Sequence, residues 1–188
     1  MTPAPRTASP LLRLAALLIA TLLGLNACST TAPEGIAAVT PFDIGRYQGK
    51  WYEIARLDHS FERGLSDVSA SYRQQPDGSV EVINRGYDSK KSEWRQALGR
   101  ALFTGETNRA SLKVSFFGPF YGGYHVMALD QQNYQWAMVV GPDRDYLWIL
   151  AREKRLPEAV RGQLLRQAEA AGLDTRKLIW VEQTRPDG

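Results

Sequence analysis

The chain has 188 residues, 23 Lys and Arg against 20 Asp and Glu for a formal net charge of +3, and 44% hydrophobic residues. Its length fits one domain able to build a core without metals, and the sole cysteine, Cys28, excludes an intramolecular disulfide framework. No lysine or arginine run interleaves with aromatics on one face, which excludes a nucleic-acid footprint.

Residues 1–27 have secretory signal anatomy, with Arg6 and Arg13 but no acid, and then an apolar run from Leu14 to Leu25. The uncharged stretch ends at Ala27, well short of the ~20 apolar residues that a membrane-spanning helix needs. Polar Ser29, Thr30 and Thr31 follow. Removing this segment takes away two basic residues and no acid, leaving 21 against 20 and a net charge of about +1. Cys28 stands directly behind Leu25, Asn26 and Ala27, and this resembles the bacterial lipobox, whose cysteine is acylated and becomes the new N-terminus. Acyl chains there hold a protein at a bilayer, because each buried methylene contributes about 0.8 kcal/mol and stable anchoring takes more than one chain. Ser29, not aspartate, follows the cysteine, and this resemblance then implies sorting to the outer membrane, on its periplasmic face.

Residues 28–41 are small and polar at first and predict a flexible tether, with the folded domain over 42–188. Short β-rich runs with turn residues between them occupy Gly49 to Arg56, Val68 to Tyr72, Val80 to Tyr87, Trp94 to Phe103 and Ala110 to Phe117. Three more cover Tyr124 to Leu129, Tyr134 to Val140 and Tyr146 to Arg152. Eight runs with short connections predict an all-β fold, an antiparallel up-and-down barrel, since closure leaves no edge strand unpaired. From Pro157, apolar Val160, Leu164, Ala168 and Ala171 recur at helical spacing until Gly172, predicting one amphipathic helix against the barrel wall. Lys177 to Val181 predicts a short final strand.

The run Gly49-Lys50-Trp51-Tyr52 resembles the lipocalin signature Gly-X-Trp-Tyr at the start of the first strand. Ala128, Leu129 and Asp130 with Tyr134 resemble the second conserved region of that family, and Arg152 the third. Three motifs in order, with one helix after the last strand, cover about residues 42 to 183. Other segments, such as Phe61 to Gly64 and Gly141 to Arg144, are similar to the bacterial outer-membrane members and to the apolipoprotein D branch. In physical terms Gly49, Trp51, Asp130 and Arg152 form a structural signature. Trp51 plugs the closed end, Arg152 lies across its indole, and Asp130 satisfies turn amides.

Function then depends on what the barrel encloses, for eight strands leave an interior either filled by side chains or wide enough for one small ligand. Alternation gathers Val68, Ala70 and Tyr72 on one face, and likewise Val80, Val82 and Asn84, then Leu112, Val114 and Phe116, and finally Trp148 and Leu150. The resemblance implies ligand contact at Tyr72, Asn84 and Trp148, and the alternation adds Val114 and Phe116; ordinary core packing is the other reading of all five. Loops at 58–66, 88–92, 117–123 and 141–145 surround the mouth. Phe117, Phe120 and Tyr121 on the third suit entry of acyl chains, a membrane contact or a homodimer contact; equally, Gly118, Pro119, Gly122 and Gly123 serve only to turn, with Phe117 and Phe120 packed inward.

The resemblance implies a tethered carrier or scavenger of fatty acids, lysophospholipids or similar amphiphiles, with no cofactor and no metal. A non-transporting structural or interaction lipoprotein of the envelope is the alternative. An enzyme is disfavoured, since His59 and His125 are the only histidines, neither has metal-ligand spacing, and no Gly-X-Ser-X-Gly elbow occurs.

Overall fold

The computed structural model describes residues 29–186, so the signal segment and Cys28 lie outside the described residues. A one-turn helix, α1 (Ile44–Tyr47), comes first. Asp43 starts it, its carboxylate accepting a 2.8 Å hydrogen bond from the Gly45 amide. The sequence reading missed α1 because a single turn is too short to show a helical period. Strands β1 (Gly49–Arg56), β2 (Leu65–Gln74), β3 (Val80–Asp88) and β4 (Glu93–Phe103) follow. Next are β5 (Ser111–Phe117), β6 (Phe120–Leu129), β7 (Trp136–Val140) and β8 (Leu147–Ala151). Helix α2 (Glu158–Ala170), a 3-10 turn (Thr175–Lys177) and β9 (Ile179–Trp180) complete the chain.

Each of the eight strands pairs antiparallel with the next, and β1 pairs with β8, so the sheet closes into an up-and-down barrel as the alternation predicts. Connections after β2, β4 and β6 gather at the end where β1 begins, next to α1. Those after β1, β3, β5 and β7 form the other end, the mouth. Strand β2 leaves β1 after Tyr52, and β9 takes over that edge, pairing Trp180 with Ala55 and Ile179 with Arg56. Below β9, the amide nitrogen of the Gln183 side chain donates to the carbonyls of both Glu53 and Val68, stitching β1 to β2.

Inward side chains make one core around Trp51, Tyr72, Val82, Leu112, Val126 and Leu150. Outward side chains of β1, β6, β7 and β8 make a second, where Ile54, Met138, Val140 and Ile149 meet Leu164 and Ala168 of α2. That second core is why the helix sequence is apolar on one stripe only. Gly172 ends α2 at φ 76°, the left-handed conformation that suits glycine just past a helix, and the Leu173 amide returns to the Ala168 carbonyl.

Two expectations change. Residues 117–123 are not an extended mouth loop: β6 starts at Phe120, and Phe117 pairs with Phe120 across a two-residue turn at Gly118 and Pro119. The glycines at 122 and 123 thus belong to a strand. The segment read as a flexible tether is laid against the barrel from Ser29 onward. Ile36 and Ala38 are buried, the Val39 amide donates to the Val126 carbonyl at 2.8 Å, and the Arg144 guanidinium donates to the Glu34 carbonyl at 2.6 Å. Small polar residues allowed flexibility there, but the apolar Ile36 and Ala38 found a groove.

Candidate functional site

The lumen has a polar-capped floor and a charged upper half. At the floor Trp51 is fully buried, and its indole nitrogen donates to the Tyr47 carbonyl at 2.8 Å. The Arg152 guanidinium lies 3.9 Å from the indole centroid and donates to the carbonyls of Arg46, Tyr47, Gln48, Lys50 and Tyr134. A planar fork stacked on a ring and pointing its edge at peptide oxygens is work that arginine does and lysine does not. Gly49 is required beside it, at φ 89° and with Arg152 Nη1 only 3.4 Å from where a Cβ would stand. Asp130 accepts from the amides of Gln132, Asn133 and Gln135, all at 3.2 Å, and so shapes the turn before β7.

Above the plug, the hydroxyls of Tyr47 and Tyr72 each lie 2.8 Å from that of Tyr124. Burial holds all three phenols above their ordinary pKa, so the cluster is a neutral network of hydroxyls. Tyr72 is therefore tied to the floor through its hydroxyl.

The upper half is different because of a bulge. In β1, Glu53 pairs with Leu150 but Ala55 pairs with Ile149, so the alternation slips between them and both Glu53 and Arg56 turn inward. Arg56 Nη1 donates to Glu53 at 2.6 Å, and Nη2 donates to the carbonyls of Glu62 and Leu65 at 2.9 and 3.2 Å. Glu62, in the connection from β1 to β2, reaches down to accept from the Trp148 indole nitrogen at 3.0 Å. Burial raises the pKa of both Glu53 and Glu62, Glu53 the more strongly because the Glu62 charge adds to it. The Arg56 charge opposes this rise at both carboxylates. His59 stacks on Tyr146, centroids 4.6 Å apart and planes 6° apart, and burial lowers its pKa to about 4, leaving it neutral at pH 7.

Of the other candidates Trp148 touches this cluster, while Asn84, Val114 and Phe116 sit on β3 and β5. The register puts Asn84 between Ala70 and Ala97, with its Oδ1 buried and without a partner in the protein. Val114 packs on the inner core opposite Ala101. Phe116 stands over Gly99, whose missing Cβ leaves the ring its place, and also borders a cleft of about 500 Å³ on the outer wall with Leu98 and Tyr121. Trp148 is half-buried opposite Arg56, between Glu62 and His59. Strict alternation from Trp51 turns Glu53 inward but not Arg56, because a bulge is a two-residue event without a sequence period, and Glu62 and His59 lie in a connection that has no period to read. The two histidines stand apart in role. His125 pairs with Val140 of the outer core and meets Ser111 Oγ at 2.9 Å, with no carboxylate behind it. Among the described residues no group of three metal-ligating side chains occurs.

Residues 42–183 match the family model described as a lipocalin-like domain. The chain belongs to the lipocalin family. This lipocalin is 51% identical over 173 residues to the outer membrane lipoprotein Blc of Escherichia coli strain K12, an alignment that covers 92% of this chain and 97% of the relative. Apolipoprotein D of Mus musculus is 31% identical over 158 residues, covering 78% of this lipocalin and 80% of that protein. Among solved structures, insecticyanin of the tobacco hornworm Manduca sexta superposes with a TM-score of 0.66 at 21% identity, covering 80% of this chain and 86% of that one. The fold is shared at that distance.

Proposed function

We propose that this lipocalin is a lipid-anchored protein of the bacterial outer membrane that carries or scavenges fatty acids, lysophospholipids or similar amphiphiles. The location follows the name of its relative in Escherichia coli, aligned over nearly the full length of both chains. Acylated Cys28 is the anchor, the one group in the sequence with the chemistry and the place for it. The observation that carries the binding reading is the upper lumen. Arg56 Nε and His59 Nε2 are buried there without hydrogen-bond partners in the protein, next to Trp148, and Asn84 Oδ1 on β3 is a third such atom. Buried polar atoms of this kind are costly unless something satisfies them, and an amphiphile brings both a polar head and an apolar tail to one site. Tyr72, Asn84, Val114, Phe116 and Trp148 form the ligand wall in this reading.

Titration of a lysophospholipid into the wild type and Trp148→Ala by calorimetry tests it. Removing one aromatic face from an acyl chain forfeits on the order of 1–2 kcal/mol at about 25 cal/mol per Å², so affinity falls about 5- to 30-fold. Circular dichroism checks that the variant is folded. Absence of binding by the wild type sinks the carrier and favours a structural envelope role, and equal affinities remove Trp148 from the ligand wall.

A further inference from the structure

The hairpin between β5 and β6 ends in two phenylalanines that the barrel does not use. Phe117 is 83% exposed and Phe120 68% exposed, at the mouth, where Phe61 of the β1–β2 connection adds a third ring at 53%. Other outward rings carry a cation over them, as Arg85 lies over Trp94 and Arg161 over Trp180. Exposed rings clustered at a single rim mark a contact surface.

The other half of the argument is where the described chain begins. The Ser29 carbonyl accepts a 3.0 Å hydrogen bond from the Gly123 amide, and the Ser29 hydroxyl lies 3.0 Å from that of Thr31. Gly123 is three residues along β6 from Phe120, which at 3.3–3.4 Å per residue is about 10 Å. The segment that follows the lipidation cysteine therefore reaches the mouth rim pinned to the same hairpin that carries the exposed rings. It does not leave from the closed end, where the domain's first turn, α1, sits.

We propose that the Phe117–Phe120 hairpin docks into the bilayer that holds the acyl anchor, so that the barrel rests mouth-down on the membrane. The inference rests on the reading of Cys28 as the anchor. With the tether fixed at the rim, the hairpin meets the bilayer intramolecularly, at an effective concentration that no free partner in solution matches. Two phenylalanine rings are the kind of side chain that buries in the headgroup and upper acyl region, and alone they hold only weakly. The consequence for carriage is that a lipid passes between bilayer and lumen without crossing water.

The test places a fluorophore at each end of the barrel in the full acylated chain. Phe120→Cys and, at the closed end, Gln132→Cys are labelled with an environment-sensitive dye and reconstituted in vesicles of phosphatidylethanolamine and phosphatidylglycerol, with and without bromine-labelled acyl chains. Both positions are exposed, so neither substitution disturbs the core. Docking gives blue-shifted emission and several-fold stronger bromolipid quenching at 120 than at 132. Quenching at neither site, or at 132 alone, overturns it. A blue shift at 120 without bromolipid quenching means that a second copy of the chain covers the hairpin, and overturns it too. The intact mass of the same sample reads the anchor separately: acyl mass with an unquenched 120 removes the docking alone, whereas no acyl mass removes the anchoring reading and the docking with it.

Discussion

Arg152 and Trp51 stand a hundred residues apart and make the floor together, an indole fully buried beneath a guanidinium that donates to five carbonyls. Replacing Trp51 by alanine opens a cavity and strips the stacking face from Arg152, at a cost of about 3–5 kcal/mol for the ring with part of the cation–π contact added. Urea melts of Trp51→Ala check this, and a loss below about 1 kcal/mol would mean that the indole is not the plug. This pair was legible in the sequence because each residue sits in a motif with neighbours of fixed spacing. The charged residues of the upper lumen carry no such flag. Arg56 is three positions from Glu53, a spacing that places two strand residues on opposite faces until a bulge puts them on the same one.

At the scale of elements, the β1–β2 connection is held over the lumen by Arg56 beside two buried carboxylates, and this makes its stability depend on pH. Burial raises both Glu53 and Glu62 above the ordinary carboxylate value of 4.5. A group whose folded-state pKa is raised binds more protons in the folded chain, so its contribution is complete below pH 4.5 and is lost as pH rises through the folded-state value. Thermal melts should therefore show the midpoint falling as pH rises from 4.5, and Glu53→Gln, which mimics the protonated acid, should flatten that limb. Parallel curves for the two proteins would remove Glu53 as the source of that limb. His59 acts with the opposite sign: its lowered pKa costs stability as pH falls from 6.5 towards about 4. The strands themselves were read to within a few residues because a period of two survives in most of them. The β5–β6 hairpin was not, because Gly122 and Gly123 look like loop residues when only composition is weighed, and the register with Val114 and Lys113 is what makes them strand.

For the whole molecule, attachment and fold separate cleanly. No helix among the described residues is long and apolar enough to cross a membrane. In our reading Cys28, behind the signal segment, supplies the hold on the bilayer. Cys28→Ala should appear in the soluble fraction after a salt wash of membranes, with the hairpin rings alone too weak to retain it, and persistence in the washed pellet on immunoblots counts against the lipobox. The overall barrel was legible because closure is the way for eight short strands to satisfy every edge, whereas the role of the C-terminal tail was not, since its apolar Ile179 and Trp180 do not say which strand they join. That they join β1 has a consequence in time. The strand made first has its edges completed by β8 and β9, the last strands made, so the ring stays open along the β1–β8 seam until Ala151 is present. Closure is thus a late, non-local event, and high contact order makes such events slow. A chain emerging N-terminus first waits with an unpaired strand edge, the part of a β-protein most prone to pair with a neighbour, and the arrival of β8 and then β9 ends that exposure.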